Sequence, residues 1–147
     1  MTKPIMASDM RAKKQILYVE EQEDSRLMLT WLLERKGYQV ATASTPAEAL
    51  RLARLQWFDL YILETRFPDV SGVELCRQIR AFDSQTPILF YSSAAYSKDI
   101  AAGLAAGAQR YLVKPMDIYI IEEVITGMLA RTQSHLLPRY ATTFAQV

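Results

Sequence analysis

Glutamates, serines and one lysine at separated points of this chain have the chemistry to manage a phosphoryl group. Glu20-Glu21 and Glu64 supply carboxylates, Ser92-Ser93 supplies hydroxyls, and Lys114, just before Pro115, supplies an ammonium. Carboxylate oxygens suit a hard cation such as Mg²⁺. The hydroxyl and the lysine suit a phosphoryl group, as donors to its oxygens. Each of these residues directly follows a short apolar run, and that placement is what would gather them.

The runs are Gln15–Val19, Gln39–Ala43, Leu60–Leu63, Ile88–Tyr91 and Arg110–Val113. They are too short for comfortable helices, and being largely apolar they read as strands covered on both faces, as in a parallel sheet. Segments with helical spacing lie between them. Met28, Leu29, Leu32 and Leu33 make one stripe, with Gly37 as its stop. Thr45 is placed to cap the next helix, with Pro46 at its first position, Glu48 reaching back in a capping box, and Ala49, Leu52 and Ala53 inward. Ser71 to Phe82 carries Val73, Leu75, Cys76 and Ile79; Ser97 to Ala106 ends at Gly107. Asp117 is placed to cap a last helix with the stripe Ile121, Val124, Ile125, Met128 and Leu129. Strand and helix alternate throughout, which predicts an α/β fold: a five-stranded parallel sheet with right-handed crossovers and helices on both faces. In such sheets the site lies beyond the carboxyl ends of the strands, where strand order reverses. Glu20, Glu21, Glu64, Ser92 and Lys114 would all stand at that edge.

The 147 residues suit one domain, and with half of them hydrophobic there is material for a core. A net charge of +1, from 17 basic and 16 acidic residues, gives no electrostatic case for direct contact with nucleic acid. Cys76 is the only cysteine, which excludes an internal disulfide and fits a reducing cytoplasm. No apolar run approaches the ~20 residues that span a bilayer. Residues 1–13 read as a flexible N-terminal tail, 14–132 as the folded domain and 133–147 as a C-terminal tail or linker. That last stretch, with Leu136, Leu137, Pro138, Tyr140 and Phe144, is too short for a DNA-binding output domain. His135 reads as solvated, Cys76 as a buried thiol, and Trp31 and Trp57 as core or half-buried packing residues. Ile118, Tyr119, Ile120 and Ile121 cannot all be buried by one helix face, so part of this run is expected at the surface or against a partner. A small flavodoxin-like enzyme or nucleotide binder would need a glycine-rich phosphate loop after the first strand. The chain has Glu20-Glu21-Gln22-Glu23-Asp24-Ser25 there, which repels a phosphate unaccompanied by metal.

Taken in order, several motifs form one series: Ile16-Leu17-Tyr18-Val19-Glu20-Glu21, Phe58-Asp59-Leu60-Tyr61-Ile62-Leu63-Glu64 and Phe67-Pro68-Asp69-Val70-Ser71-Gly72. Thr86-Pro87-Ile88-Leu89-Phe90-Tyr91-Ser92, Ala106-Gly107-Ala108 and Tyr111-Leu112-Val113-Lys114-Pro115 complete it. The series resembles the receiver domain of response regulators, from about Lys14 to Arg131. The resemblance implies a flavodoxin-like doubly wound (βα)5 fold with strand order 2-1-3-4-5. It also implies a non-enzymatic role in two-component phosphorelay signalling, with a histidine kinase or a downstream signalling protein as partner. It assigns Glu20 and Glu21 to Mg²⁺ binding, with Glu64 and the backbone carbonyl of Arg66 as further ligands. Glu64 falls at the phosphoacceptor position. Ser92 falls at the switch hydroxyl, Tyr111 at the aromatic switch residue, and Lys114 at the phosphate contact, its peptide bond to Pro115 being cis. The Tyr111–Ile125 region corresponds to a frequent homodimer or output face.

The chain departs from that pattern where aspartates are expected, at Glu20, Glu21 and Glu64. Each glutamate carries its carboxylate about 1.5 Å further from the backbone. In-line transfer is sensitive to such placement, with ~1 Å of error costing about a hundredfold. Ordinary aspartyl phosphorylation is therefore not the expectation, and Mg²⁺ binding is expected to be weak or absent. Glu64 could instead pair with Lys114 and accept a hydrogen bond from Ser92, imitating part of a phosphorylated state. A receiver biased toward its active arrangement and one frozen in an inactive arrangement both fit the sequence, as does a conventional Mg²⁺-dependent receiver.

Overall fold

The structure is a computed structural model and describes residues 13–130. Parallel strands β1 (Gln15–Val19), β2 (Gln39–Ala43), β3 (Leu60–Leu63), β4 (Ile88–Ser92) and β5 (Arg110–Val113) form one sheet in the order β2-β1-β3-β4-β5. Between them run α1 (Glu23–Arg35), α2 (Pro46–Leu55), α3 (Gly72–Arg80) and α4 (Ser97–Ala105). A 3-10 turn, Met116–Tyr119, leads into a further helix, α5, across residues 121–130. This is the flavodoxin-like order expected from the sequence.

Alternation along the strands divides the core in two. Leu17 and Val19 join Ala49, Ala53, Leu75, Cys76 and Ile79 on the side of α2 and α3. Ile16 and Tyr18 join Leu29, Leu33, Ile121, Ile125 and Met128 on the side of α1 and α5. The register fixes the site. Val19 stands opposite Leu63, so Glu20 and Glu64 emerge side by side, and Ser92 stands opposite Val113, so Lys114 follows at the same level.

Local signals behave largely as their chemistry dictates. Thr45 Oγ1 accepts the Glu48 N–H at 3.2 Å, and Ser71 Oγ accepts the Glu74 N–H at 3.1 Å. Gly37 ends α1 at φ +94°, and the Tyr38 and Gly37 N–H groups return to Leu33 and Glu34, a Schellman closure.

Several expectations need correction. Strand β4 runs one residue further than the apolar run, because Ser92 still pairs with Val113. In α1, Leu29 and Leu33 are buried and Leu32 half-buried, but Met28 is 51% exposed; it shares the outer face with Leu27 and Trp31. Trp31 and Trp57 are each 56% exposed rather than packed inside. Trp31 is covered by the guanidinium of Arg35, one turn on, 4.7 Å from the ring centre, and Trp57 stands in the connection between α2 and β3. Glu48 does reach back, but to the N–H of Ser44 at 3.0 Å rather than to that of Thr45. Asp117 does not cap α5: its carboxylate takes the Val113 N–H at 2.6 Å, and the 3-10 turn postpones the helix. Of the run Ile118 to Ile121, Tyr119 is 91% and Ile120 40% exposed while Ile121 is buried, as the crowding argument required. The expectations for residues 1–12, His135 and the C-terminal stretch lie outside the described residues.

Candidate functional site

At the carboxyl edge, between β1 and β3 where strand order reverses, Lys114 reaches over from the end of β5. Its ammonium pairs with Glu20 Oε1 and, at 3.0 Å, with Glu64 Oε2. Both glutamates are nearly buried, at 2% and 5% exposure. Two carboxylates so placed repel each other and lose hydration, so a shared cation is what makes their burial tolerable. The ammonium also sits 5.3 Å from the ring centre of Tyr91. Burial, then Asp117, Glu20 and Glu64, push the Tyr91 phenol up to about 12. Beneath the site, the Tyr18 hydroxyl faces Glu20 Oε1 at 3.5 Å, and burial together with that carboxylate holds its phenol far above the ordinary range.

The remaining carboxylate oxygens are held by backbone. Gln22 N–H donates to Glu20 Oε2 at 3.0 Å, and Thr65 N–H donates to Glu64 Oε1 at 2.6 Å. Arg26, from α1, donates to the carbonyls of Glu20 and Glu21 at 2.8 and 3.0 Å and so fastens the turn after β1. The Lys114–Pro115 peptide bond is cis.

Ser92 is fully buried, yet it does not meet Glu64. Thr65 stands between: its hydroxyl lies 2.7 Å from Ser92 Oγ and 3.2 Å from Glu64 Oε1. Ser92 Oγ accepts the Ala94 N–H at 3.0 Å, and the Ala94 carbonyl accepts the Tyr111 hydroxyl at 2.6 Å. The Tyr111 ring lies against Phe90, centres 5.6 Å apart, and a Cβ on Gly103 would stand 3.0 Å from both rings. Burial raises the Tyr111 phenol, while the neighbouring Ser92 and Thr65 hydroxyls act in the opposite direction.

The fold thus brings Glu20, Glu64 and Lys114 into direct contact, with Ser92 and Tyr111 joined to them through Thr65 and Ala94. Glu21, Arg66 and Ser93 are exposed; Glu21 lines an open cleft with Arg26, Thr45 and Asp69. The expected direct bond from Ser92 to Glu64 is replaced by the Thr65 bridge. Sequence reasoning misses Thr65, which reads as a turn residue after a strand.

Mg²⁺ asks for near-octahedral oxygens. Here each oxygen of Glu20 and Glu64 faces a protein donor, the ammonium of Lys114 occupies the space between them, and Glu21 stands exposed, away from the pair. Among the described residues no three His, Cys, Asp or Glu side chains are grouped to hold a metal ion. In this arrangement the residues do not fit Mg²⁺; Lys114 supplies the charge that a cation would bring.

The family model of the response regulator receiver domain matches residues 16–126. The chain belongs to that family. This receiver domain is 35% identical over 116 residues to the transcriptional regulatory protein AfsQ1 of Streptomyces coelicolor, covering 79% of the chain and 51% of that protein. It is 34% identical over 120 residues to the alkaline phosphatase synthesis transcriptional regulatory protein PhoP of Bacillus subtilis, covering 82% and 50%. It spans about half the length of these relatives. Among solved structures, the CheY-like receiver domain protein of Methanospirillum hungatei superimposes with a TM-score of 0.80 at 25% identity, over 84% of this chain and 99% of that one. The response regulator TrrA of Thermotoga maritima, solved in complex with Mg²⁺-BeF, superimposes with a TM-score of 0.72 at 28% identity, over 78% and 98%. Among the described residues no helix is long and apolar enough to cross a membrane.

Proposed function

We propose that this receiver domain, residues 14–132, serves cytoplasmic two-component signalling without ordinary aspartyl phosphorylation, as a conformational rather than catalytic component. Glu64 takes the place of the phosphoacceptor aspartate, and Ser92, Tyr111 and Lys114 form the switch around it. One observation carries the reading: the Glu64 carboxylate already holds Lys114 at 3.0 Å and the Thr65 N–H at 2.6 Å, so both its oxygens are engaged where a nucleophile would have to be free. Phosphorylation would also need Mg²⁺ held by Glu20, Glu21, Glu64 and the Arg66 carbonyl, and Lys114 opposes that. Mg²⁺ binding is accordingly weak or absent in this reading. The partners are a histidine kinase or a downstream signalling protein, recognised through a fixed arrangement of Ser92 and Tyr111. A second copy of the chain, docked through the Tyr111–Ile125 region, is a further partner, supported by the exposure of Tyr119 and Ile120.

The test is intact mass after incubation with acetyl phosphate and Mg²⁺, for wild type and Glu64→Asp. Wild type is expected to gain no phosphate and the variant to gain one. Equal gain by both would overturn the reading in favour of a conventional Mg²⁺-dependent receiver.

A further inference from the structure

We propose that Thr65 is a positioning residue standing in for a phosphoryl oxygen: its hydroxyl joins the Glu64 carboxylate to Ser92 and thereby holds Tyr111 on the core. This deepens the phosphate-independent reading and rests on it. Thr65 is 9% exposed and Ser92 is fully buried, so neither hydroxyl can leave its hydrogen unbonded without cost.

With Thr65 bonded to Glu64, donor counting sets the remaining directions. A hydroxyl has one hydrogen to give, and an ionised carboxylate can only accept. Thr65 therefore donates to Glu64 Oε1, at 3.2 Å, and Ser92 must donate to Thr65, at 2.7 Å. Ser92 keeps a lone pair for the Ala94 N–H at 3.0 Å, and this holds the Ala94 carbonyl where the Tyr111 hydroxyl reaches it at 2.6 Å. A one-way chain thus runs from Ser92 through Thr65 to the charge on Glu64, itself anchored by Lys114. A phosphoryl group on a shorter acceptor would present an anionic oxygen to Ser92 directly. Here the anion falls short of Ser92, and the threonine hydroxyl spans the gap. Its β-branch adds stiffness at χ1, which favours one direction for that hydroxyl.

The experiment is ¹⁹F NMR of the full 147-residue chain carrying 3-fluorotyrosine, with the Tyr111 signal identified by its loss in Tyr111→Phe. Wild type and Thr65→Ser, which keeps the hydroxyl, are expected to place Tyr111 alike. Thr65→Val, which keeps the shape and removes the hydroxyl, is expected to shift and broaden the signal. The ratio of inward to outward ring should change roughly two- to tenfold, the worth of one buried neutral hydrogen bond. A folded Thr65→Val with an unmoved Tyr111 signal overturns the proposal, and Thr65→Ala decides the matter in the same way if valine is not accommodated. The acetyl phosphate mass measurement, run on the same wild-type sample, separates the two ideas. An unmoved Tyr111 signal with no phosphate gained removes the Thr65 link alone, whereas phosphate gained by wild type removes the underlying reading and the stand-in role with it.

Discussion

A Cβ on Gly72 would overlap the carbonyl oxygen of Glu64. The first turn of α3 therefore rides directly over the end of β3, closed by the Gly72 N–H on the Thr65 carbonyl at 2.8 Å. Both partners are backbone and cannot swing aside. Gly72→Ala should cost about 3 kcal/mol, at the upper end for overpacking. A urea titration reads this as a lower midpoint at unchanged slope; a midpoint equal to wild type would mean that the turn yields freely.

Removing the cation while leaving both anions should be worse than removing the whole cluster. Lys114→Met leaves Glu20 and Glu64 nearly buried with no positive charge between them, a loss of roughly 3 to 5 kcal/mol for a broken buried pair. Divalent cations should then stabilise the variant more than wild type. Melting temperature with and without millimolar Mg²⁺ checks this, and an equal response in both proteins would refute the view that Lys114 occupies a cation's place.

Alkaline pH should unfold the domain in a predictable window. Burial pushes the Cys76 thiol from 9.0 up to about 11 and chiefly accounts for the rise of Tyr91 from 10.0 to about 12. Both groups are neutral when protonated, so the folded state binds more protons than the unfolded state between these limits. Their contribution to stability is whole below pH 9, falls as pH rises through 9 to 12, and is gone above. Denaturation midpoints measured from pH 8 to 12 should fall, and Cys76→Ala should remove the earliest part of the fall. For the same reason a disulfide reagent at neutral pH should label Cys76 only as fast as the domain opens.

The exposed Tyr119 and Ile120, beside a hollow lined by Arg110, Val124 and Gly127, make a second copy of the chain the expected occupant of this face. Light scattering after size exclusion should find a dimer for wild type and a monomer for Ile120→Glu. A wild-type monomer at every concentration tried would remove the face from consideration.

The central strands β1, β3 and β4 are readable almost to the residue because burial on both faces leaves little polar interruption to blur them, while the edge strands β2 and β5 show as mixed runs between turn residues. The strand-end rule then placed Glu20, Glu64, Ser92 and Lys114 together without any contact being known. Legibility failed where direction mattered more than period. Met28 neighbours Leu29 in an apolar run, yet about 100° of rotation per residue turns it to solvent. Asp117 takes the Val113 N–H of the last strand instead of capping the helix start. Thr65 lies two residues beyond the end of β3, where alternation no longer dictates which way a side chain points. Its hydroxyl lies between Glu64 and Ser92 because three side chains meet in space, which no spacing along the chain encodes.

The counter-charge at the heart of this domain arrives late along the chain. Lys114 is 94 residues from the Glu20 it neutralises, and it rides on the final strand. A ribosome-bound chain lacking β5 would have to seat two anions at the centre of its sheet with nothing to balance them. Closing so long a loop is entropically slow, and the reward comes only at the end. The ion pair is therefore a contact that a chain ending before β5 cannot make, and the two carboxylates gain their shared cation only once that strand joins the sheet.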